Sequence, residues 1–439
     1  MMKRYAIQDL LKWKESAERK PLLLYGARQV GKTWLVRDFA SKYYADLLEL
    51  NFFTNESLRQ IFETNIDPKF IIGQLELLFN KKINPQTTLL FFDEIQESQR
   101  AMDALKSFND LAPEYNIIAA GSFLGVVSAR HPVGQTDHYT LYPMSFCEFL
   151  EAKGLTNMLF VISGRKTDLL TEPVREMLEK ELRDYFYVGG MPEAVQEYID
   201  THDLVQVREV QKRLLTGYRG DFSKHITPKD APRVRMLWDS IPRHLFKENQ
   251  KFVYKNVKVG GRASEFEVAM QWLVDTGLVY KINKTEDPKL PLAMHAELDS
   301  FKLFLLDIGL FCAMADIQPS DLLLKGKDIV SDMYGALAEQ FVLQELKASG
   351  TSALYYWGRK GSGTAELDFL TQVNGLGIVP IEVKSGHNTK AKSLKTYISE
   401  YAPLVAVRTS LNQYRASDGL YEIPLYMISQ MKEMLKADD

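Results

Sequence analysis

Eight consecutive residues, Gly26-Ala27-Arg28-Gln29-Val30-Gly31-Lys32-Thr33, have the types and spacing of a loop that cradles phosphate. Glycines let the backbone turn its N–H groups inward as a nest of donors, and a helix opening directly after the loop aims the positive end of its dipole at the same point. In this reading residues 26–33 surround the phosphates, Lys32 sets its charge against the β- and γ-phosphates, and the Thr33 hydroxyl ligates magnesium. A second motif, the acidic pair Asp93-Glu94, closes the apolar run Leu89-Leu90-Phe91-Phe92. Asp93 is expected in the magnesium shell and Glu94 to polarise an attacking water. A third run, Asn116-Ile117-Ile118-Ala119-Ala120, ends in Gly121-Ser122. Ser122 is a candidate sensor of the γ-phosphate, with a plain turn serine as the alternative.

A different chemistry is spelled out near the other end. Asp368 lies within the strand-like Ala365-Glu366-Leu367-Asp368-Phe369-Leu370, and Ile378-Val379-Pro380-Ile381-Glu382-Val383-Lys384 makes a second strand ending Glu-x-Lys. Residues two apart on a strand share a face, so Glu382 and Lys384 lie together and a hairpin would bring Asp368 beside them. Two carboxylates can hold magnesium through hard oxygen ligands, and the lysine can orient or deprotonate a water for attack on a phosphodiester. Upstream, residues 335–342 have a helical pattern from which Glu339 could reach the same metal.

These residues need scaffolds, and the pattern of the chain supplies them. Over residues 22–142 short apolar runs alternate with helical periodicity, as in a parallel sheet covered by helices. The apolar run Leu22-Leu23-Leu24-Tyr25 precedes the phosphate loop, and an amphipathic stretch over 34–40 comes directly after it. Tyr142-Pro143-Met144-Ser145-Phe146 breaks the alternation. A mainly helical stretch then runs to about 217 and would suit a lid over the nucleotide; it includes a helix over 174–185 and the turn Gly189-Gly190-Met191-Pro192. Residues 218–331 are helical with a hairpin expected between Gly277 and Leu292, and the segment from 332 reads helix, three strands, helix, strand.

The middle region is also the most basic. Between Lys229 and Arg262 nine Lys or Arg residues face three acids, interleaved with Trp238, Phe246, Phe252 and Tyr254, in a chain of net charge −3. Such clustering is the electrostatic footprint of a phosphate-backbone binder. The helical pattern over 264–275 followed by Leu278-Val279-Tyr280-Lys281-Ile282 reads as a winged helix with one helix offered to the major groove of double-stranded DNA. A solvated basic face that docks on the acidic remainder or on a protein partner remains an equal reading. The net charge argues against wholesale attraction to nucleic acid, so any such binding must be local.

At 439 residues the chain is long enough for several domains, and its 46% hydrophobic and 25% charged content is that of a globular protein. The start, Met1-Met2-Lys3-Arg4-Tyr5, runs into a charged amphipathic segment, and no apolar run reaches membrane-spanning length. Cys147 and Cys312 are isolated, which indicates neither a disulfide framework nor a zinc site. A cytoplasmic protein with no membrane contact is expected.

Taken together, these motifs resemble the prokaryotic ATPases that pair an AAA-type domain with a C-terminal DUF4143 region. The resemblance covers nearly the full length. It rests on residues 26–33, on Phe92-Asp93-Glu94, on the stretch 141–149 (LYPMSFCEF), on 189–194 (GGMPEA), on 301–310 (FKLFLLDIGL), and on Glu339, Asp368 and Glu382-Val383-Lys384, which match a restriction-endonuclease-like pattern. It implies an α/β multidomain protein: an additional-strand P-loop ATPase domain with a helical lid over 1–217, a winged-helix middle over 218–331, and a restriction-endonuclease-like domain over 332–439. ATP and Mg2+ are the implied cofactors, and a homo-oligomer is one expected assembly. Relatives often carry a basic residue after the glycine at Gly134, where this chain has Gln135. Arg130 or Arg183 would then have to supply any intersubunit arginine. The function expected is nucleotide-governed action of a DNA-directed C-terminal half; the alternative is a non-cleaving switch that regulates a protein partner.

Overall fold

The computed structural model describes residues 2–122, 124, 134–247, 250–323, 331–351, 353–360, 365–387 and 392–436. Two compact units divide the chain: Arg4–Tyr142 with Asp275–Gly277, and Met1–Lys3, Pro143–Val274 and Leu278–Asp439. No described helix is long and apolar enough to cross a membrane.

The first unit is built on a parallel sheet ordered β2-β3-β4-β1-β5, comprising β1 (Leu22–Tyr25), β2 (Asp46–Asn51), β3 (Thr88–Asp93), β4 (Asn116–Ala120) and β5 (Asp137–Thr140). Every residue of β3 and β4 is buried, which is why apolar runs, Leu89–Phe92 and Ile117–Ala120, fill their centres, as in a parallel sheet covered on both faces. Beneath one face Phe52, Phe62 and Phe92 meet edge to face at 5.2 to 5.6 Å, a ring geometry that packs densely. The strand β4 lies between β1 and β3, so the phosphate-loop strand and the acid-bearing strand are not neighbours. That is the added-strand order the family resemblance implies.

The second unit carries an eight-stranded mixed sheet ordered β12-β13-β11-β10-β9-β8-β6-β7. Its strands are β6 (Val279–Thr285), β7 (Ala296–Leu305), β8 (Tyr355–Gly358), β9 (Glu366–Val373), β10 (Gly377–Val383), β11 (Ala406–Ser410), β12 (Arg415–Ser417) and β13 (Leu420–Pro424). The expected hairpin is present but wider, its second strand starting at Ala296 beyond a short helical turn, Leu292–His295. It is also not a free wing. β6 pairs in parallel with β8, Asn283 opposite Tyr355 and Thr285 opposite Trp357, so strands on both sides of residue 331 share one sheet. Among the described residues the two compact units do not divide at 217 or 331, and at 331 backbone hydrogen bonding between β6 and β8 joins the two sides. The helices after 142, namely Phe146–Ala152, Thr156–Ser163, Glu172–Val188, Pro192–Thr201 and Leu204–Lys224, follow the expected helical pattern and fall within the second unit.

What ties them there is a buried polar knot. Asp307, fully buried, accepts hydrogen bonds from the amides of Gly190 (2.6 Å) and Leu310 (3.0 Å) and from Gln344 Nε2 (3.3 Å). The Gly190 carbonyl accepts from Met144 N at 2.7 Å, and Tyr185 donates its hydroxyl to the Met144 carbonyl. Helix Ser331–Ala348 supplies the other side: Gln340 clasps Leu305 through both its amide N–H and carbonyl at 3.0 and 2.8 Å, Gln344 accepts from Ile308 N at 2.9 Å, and Glu345 accepts from Phe146 N at 2.8 Å. Glycine is obligatory at three points of the knot. A Cβ would lie 2.1 Å from the Met144 carbonyl at Gly190, 2.3 Å from Asp307 Oδ1 at Gly189 and 2.4 Å from the Val188 carbonyl at Gly309. The helix entered from Met144 is fixed by a capping box, with Ser145 Oγ accepting from Glu148 N and Glu148 accepting from Ser145 N.

The knot makes two outcomes measurable. Gly190→Ala should destabilise the second unit by about 3 kcal/mol or more, since the obstructing atom is backbone; a loss below about 1 kcal/mol in denaturant unfolding would show that the Met144 segment yields. Burial pushes Glu345 up to about 8, against the Phe146 amide and with the Glu148 carboxylate adding to the rise. A carboxyl raised in this way stabilises fully below its ordinary value of 4.5 and loses that contribution as pH climbs through about 8. Glu345→Gln keeps an acceptor and cannot ionise, so its stability relative to the native chain should improve by on the order of 4 kcal/mol from about pH 5 to about pH 9. A difference that stays flat over that range would mean Glu345 does not titrate there.

Candidate functional site

Strand register brings the phosphate loop and the acids to one edge. Leu24 pairs with Ala120 and Tyr139, while Asp93 pairs with Ala120 and Asn51, so β1, β4, β3 and β2 end level with one another. The carboxyl edge of a parallel sheet is where such folds bind ligands. The loop leaves β1 at Gly26, whose φ of 138° and whose missing Cβ, which would lie 2.4 Å from the Leu141 carbonyl, both demand glycine. It closes at Gly31, left-handed at φ 95°, immediately before helix Lys32–Tyr43. Arg4 holds the loop from behind, donating to the carbonyls of Val30 at 2.8 Å and Tyr142 at 2.6 Å. Nothing in the local sequence signals that role, because Arg4 stands far upstream of both partners.

Lys32 is buried and donates to the carbonyls of Gly26 (2.8 Å) and Ala27 (2.9 Å). Burial lowers its ammonium to about 8, with Glu94 and Asp93 opposing the fall. Thr33 Oγ1 donates to Asp93 Oδ2 at 3.3 Å, and Asn51 Nδ2 lies 3.5 Å from the same oxygen. Asp93 is raised to about 6 by burial, then by the Glu94 and Glu49 carboxylates. A hydroxyl and a buried carboxyl crowded by like charge suit a hard divalent cation, and magnesium completes its shell with phosphate oxygens and water instead of a protein cage. The residues present therefore fit Mg2+ with a nucleotide. Glu94 takes the left-handed conformation at φ 52°, strained for a side chain of its kind, and accepts from Gln96 Nε2 at 2.6 Å. Sequence reasoning misses Asn51 and Gln96; a polar residue at the end of β2 and one two places past Glu94 are the only signals. Ser122 is buried just beyond β4, between the loop strand and the acid strand. Gln135 accepts a hydrogen bond from Asn109, Arg183 lies 3.9 Å from Glu179, and Arg130 lies outside the described residues.

In the second unit Asp368 on β9 and Glu382 on β10 stand on adjacent antiparallel strands, as expected from sequence. Asp368 Oδ2 accepts from Val383 N at 2.7 Å, and Lys384 Nζ lies 2.9 Å from Glu382 Oε1. Burial pushes the Glu382 carboxyl up, opposed by Lys384. Glu339 is turned to other partners: its Oε1 accepts from Gln250 at 2.8 Å, and its Oε2 lies 3.5 Å from Lys302 Nζ. Among the described residues no group of three or more His, Cys, Asp or Glu side chains is placed to hold a metal ion. The basic stretch is partly neutralised, Arg233 by Asp230 at 2.7 Å and Lys258 by Glu265 at 2.8 Å, while Arg235 donates to Ser223. Its aromatics serve the interior: Trp238 and Phe252 are buried, Phe246 packs on Phe311 at 5.2 Å, and Tyr254 packs on Phe252, Phe266 and Phe301.

Known proteins match in three stretches. Residues 18–150 fit the model of an AAA domain, residues 179–321 a domain of unknown function (DUF8612), and residues 334–428 a domain of unknown function (DUF4143). Two Methanocaldococcus jannaschii proteins, both described as uncharacterized, are similar. MJ1544 is 27% identical over 392 residues, 85% of this chain and 77% of its own; MJ1637 is 26% identical over 203 residues, 43% of this chain and 42% of its own. The match thus spans less than half the length of MJ1637. Among solved structures, the Walker-type ATPase PABY2304 of Pyrococcus abyssi has a TM-score of 0.45 at 16% identity, covering 72% of this chain and 96% of that one. The Aeropyrum pernix ORC1 protein in complex with DNA has a TM-score of 0.30 at 11% identity, covering 74% and 95%. None of these likenesses is strong enough to carry a substrate or partner across. The AAA match encloses the phosphate loop and both acids, the DUF4143 match encloses Glu339, Asp368 and Glu382, and the sheet order is that of a P-loop ATPase: the chain joins an AAA-type P-loop domain to a DUF4143 region.

Proposed function

We propose that this chain hydrolyses ATP with magnesium at the edge of the first sheet and that its nucleotide state governs a DNA-directed C-terminal half. The observation that carries the first part is the shared level of Lys32, Thr33, Asp93 and Glu94, linked by the Thr33–Asp93 contact at 3.3 Å. Lys32, released from the Gly26 and Ala27 carbonyls, sets its charge against the β- and γ-phosphates, with the loop amides around them. Thr33 and Asp93 would hold Mg2+, which when bound neutralises charge on the β- and γ-oxygens. Glu94, aimed by Gln96, orients and polarises the attacking water, and Ser122 senses the γ-phosphate from the intervening strand. The strained backbone at Glu94 supports a positional demand on that carboxylate.

The DNA-directed part rests on the exposed members of the basic stretch together with helix Ala263–Asp275 and the β6–β7 hairpin, the order of elements in a winged helix. A second reading is favoured by the Lys384–Glu382 pair at 2.9 Å and the Val383 amide on Asp368, which engage the groups a phosphodiesterase would need for metal and water. In that reading the chain is a non-cleaving ATP switch acting on a protein partner or on copies of itself. ATPase assays with and without duplex DNA separate the two, since stimulation by DNA belongs only to the first.

Lys32→Ala should weaken ATP binding by about tenfold or more, because it removes the charge facing the phosphates. Glu94→Gln should leave binding nearly intact and lower hydrolysis by roughly 100-fold or more, as expected for loss of the group that acts on water. Equilibrium nucleotide binding and single-turnover hydrolysis check both, and undiminished turnover in the Glu94 variant would remove it from the catalytic role. Binding to duplex DNA should fall steeply with salt, and neutralising Arg233, Arg235, Lys255 and Lys258 together should flatten the dependence of log affinity on log salt by up to about 4. An unchanged slope would place the contact elsewhere.

A further inference from the structure

A buried lysine sits among the acids of the second unit. Lys302, on β7, is only 2% exposed, yet its ammonium lies 2.8 Å from Glu366 Oε1 and 3.5 Å from Glu339 Oε2, with the Tyr356 ring 5.1 Å away. Burial opposes the charge, but Glu339, Glu366 and Asp368 together hold this ammonium above its ordinary value, so it stays charged. A charge so deeply buried persists only when its partners compensate its desolvation. Three of the four carboxylate groups of this region come from segments past residue 360, while Lys302 comes from the hairpin, and the pairing of β6 with β8 is what delivers it.

We infer that the Lys302 ammonium is the resident cation of this acidic cluster and that it holds Glu339 out of divalent-metal coordination. Both Glu339 oxygens are engaged, one by Gln250 Nε2 at 2.8 Å and the other by Lys302. Asp368 has given one oxygen to the Val383 amide, and Glu382 has given one to Lys384. The ligand set that a helix glutamate, a strand aspartate and a strand glutamate would otherwise offer is thus reduced by a third, and the helix member is neutralised by a group the chain itself supplies. The remaining Glu382 oxygen, Oε2, is buried without a hydrogen-bond partner among the described residues and is one open ligand, but among those residues no three acidic groups gather to hold an ion. Hard divalent ions bound by protein side chains take several oxygens at once. On this inference the second unit keeps a nuclease-like frame while an ammonium does the charge-balancing that a metal would do, and it stands whether or not the first unit hydrolyses ATP.

The test is Mn2+ uptake, read by the electron paramagnetic resonance of the free ion, on the full chain without nucleotide. Thr33→Val and Asp93→Asn are included in every sample to silence the site of the first unit. The parent should take up no Mn2+ dependent on Glu339. Lys302→Met should gain one Mn2+ per chain, and adding Glu339→Gln should abolish that gain. A folded Lys302→Met chain without the gain, or a parent whose Mn2+ uptake is lost on Glu339→Gln, overturns the inference. Should Lys302→Met not fold, the Glu339→Gln comparison in the parent decides alone: unchanged uptake supports the resident cation and lost uptake refutes it.

Discussion

The carboxylate of Asp307 is the point on which the second unit depends. It is fully buried and burial raises it to about 6, yet it is held by two backbone amides and a glutamine from three separate segments. Such a group is costly to place and costly to disturb, because each partner removed leaves a polar atom stranded in the interior. Three sequence stretches that carry the family resemblance converge here: Met144 on one side, held by Tyr185, Gly189 and Gly190 in the turn, and Asp307 and Gly309 beyond β7. Their shared features are therefore requirements of assembly. At Gly190 and Gly309 backbone stands where a Cβ would lie, and at Gly189 the Asp307 carboxylate does.

Carboxylates in the two units are balanced in opposite ways. In the first unit Asp93 and Glu94 crowd each other beside a buried lysine that donates to loop carbonyls, and Asp93 is raised by burial and by that crowding. In the second, each of the four acids near β9 and β10 is engaged by a lysine or by an amide of the chain itself. The same residue types thus make one site open to an incoming charge and another nearly closed in charge.

The sequence was most legible where local pattern and chemistry coincide. The phosphate loop and the acid pair at the end of β3 could be placed because a buried parallel strand reads as an unbroken apolar run, and the motif itself demands a strand before the loop and a helix after it. The strand aspartate and Glu-x-Lys were likewise legible by their period of two. What sequence did not reveal were contacts made over long separations: Arg4 behind the loop, Gln340 clasping the end of β7, Gln344 holding Asp307 and Ile308 beyond it, and Lys302 among the acids. Polar residues on a helix of moderate amphipathicity look like a solvated face, and only the tertiary pairing shows them buried. Aromatic residues between basic ones read equally as a stacking surface or as core, and here Trp238 and Phe252 are core.

The pairing of β6 with β8 has a consequence for how this chain can be cut and joined. A gene divided at residue 331 would yield two fragments that each present a bare strand edge, β6 on one and β8 on the other, with their ladder of N–H and C=O groups unpaired. Such edges are templates for one another and for any neighbouring copy. Co-produced fragments would have the means to find each other again, whereas either one alone would be prone to self-association. The evolutionary counterpart is that a shuffled C-terminal module of this kind must travel with its hairpin, because the hairpin supplies both the last strands of its sheet and the ammonium at its centre.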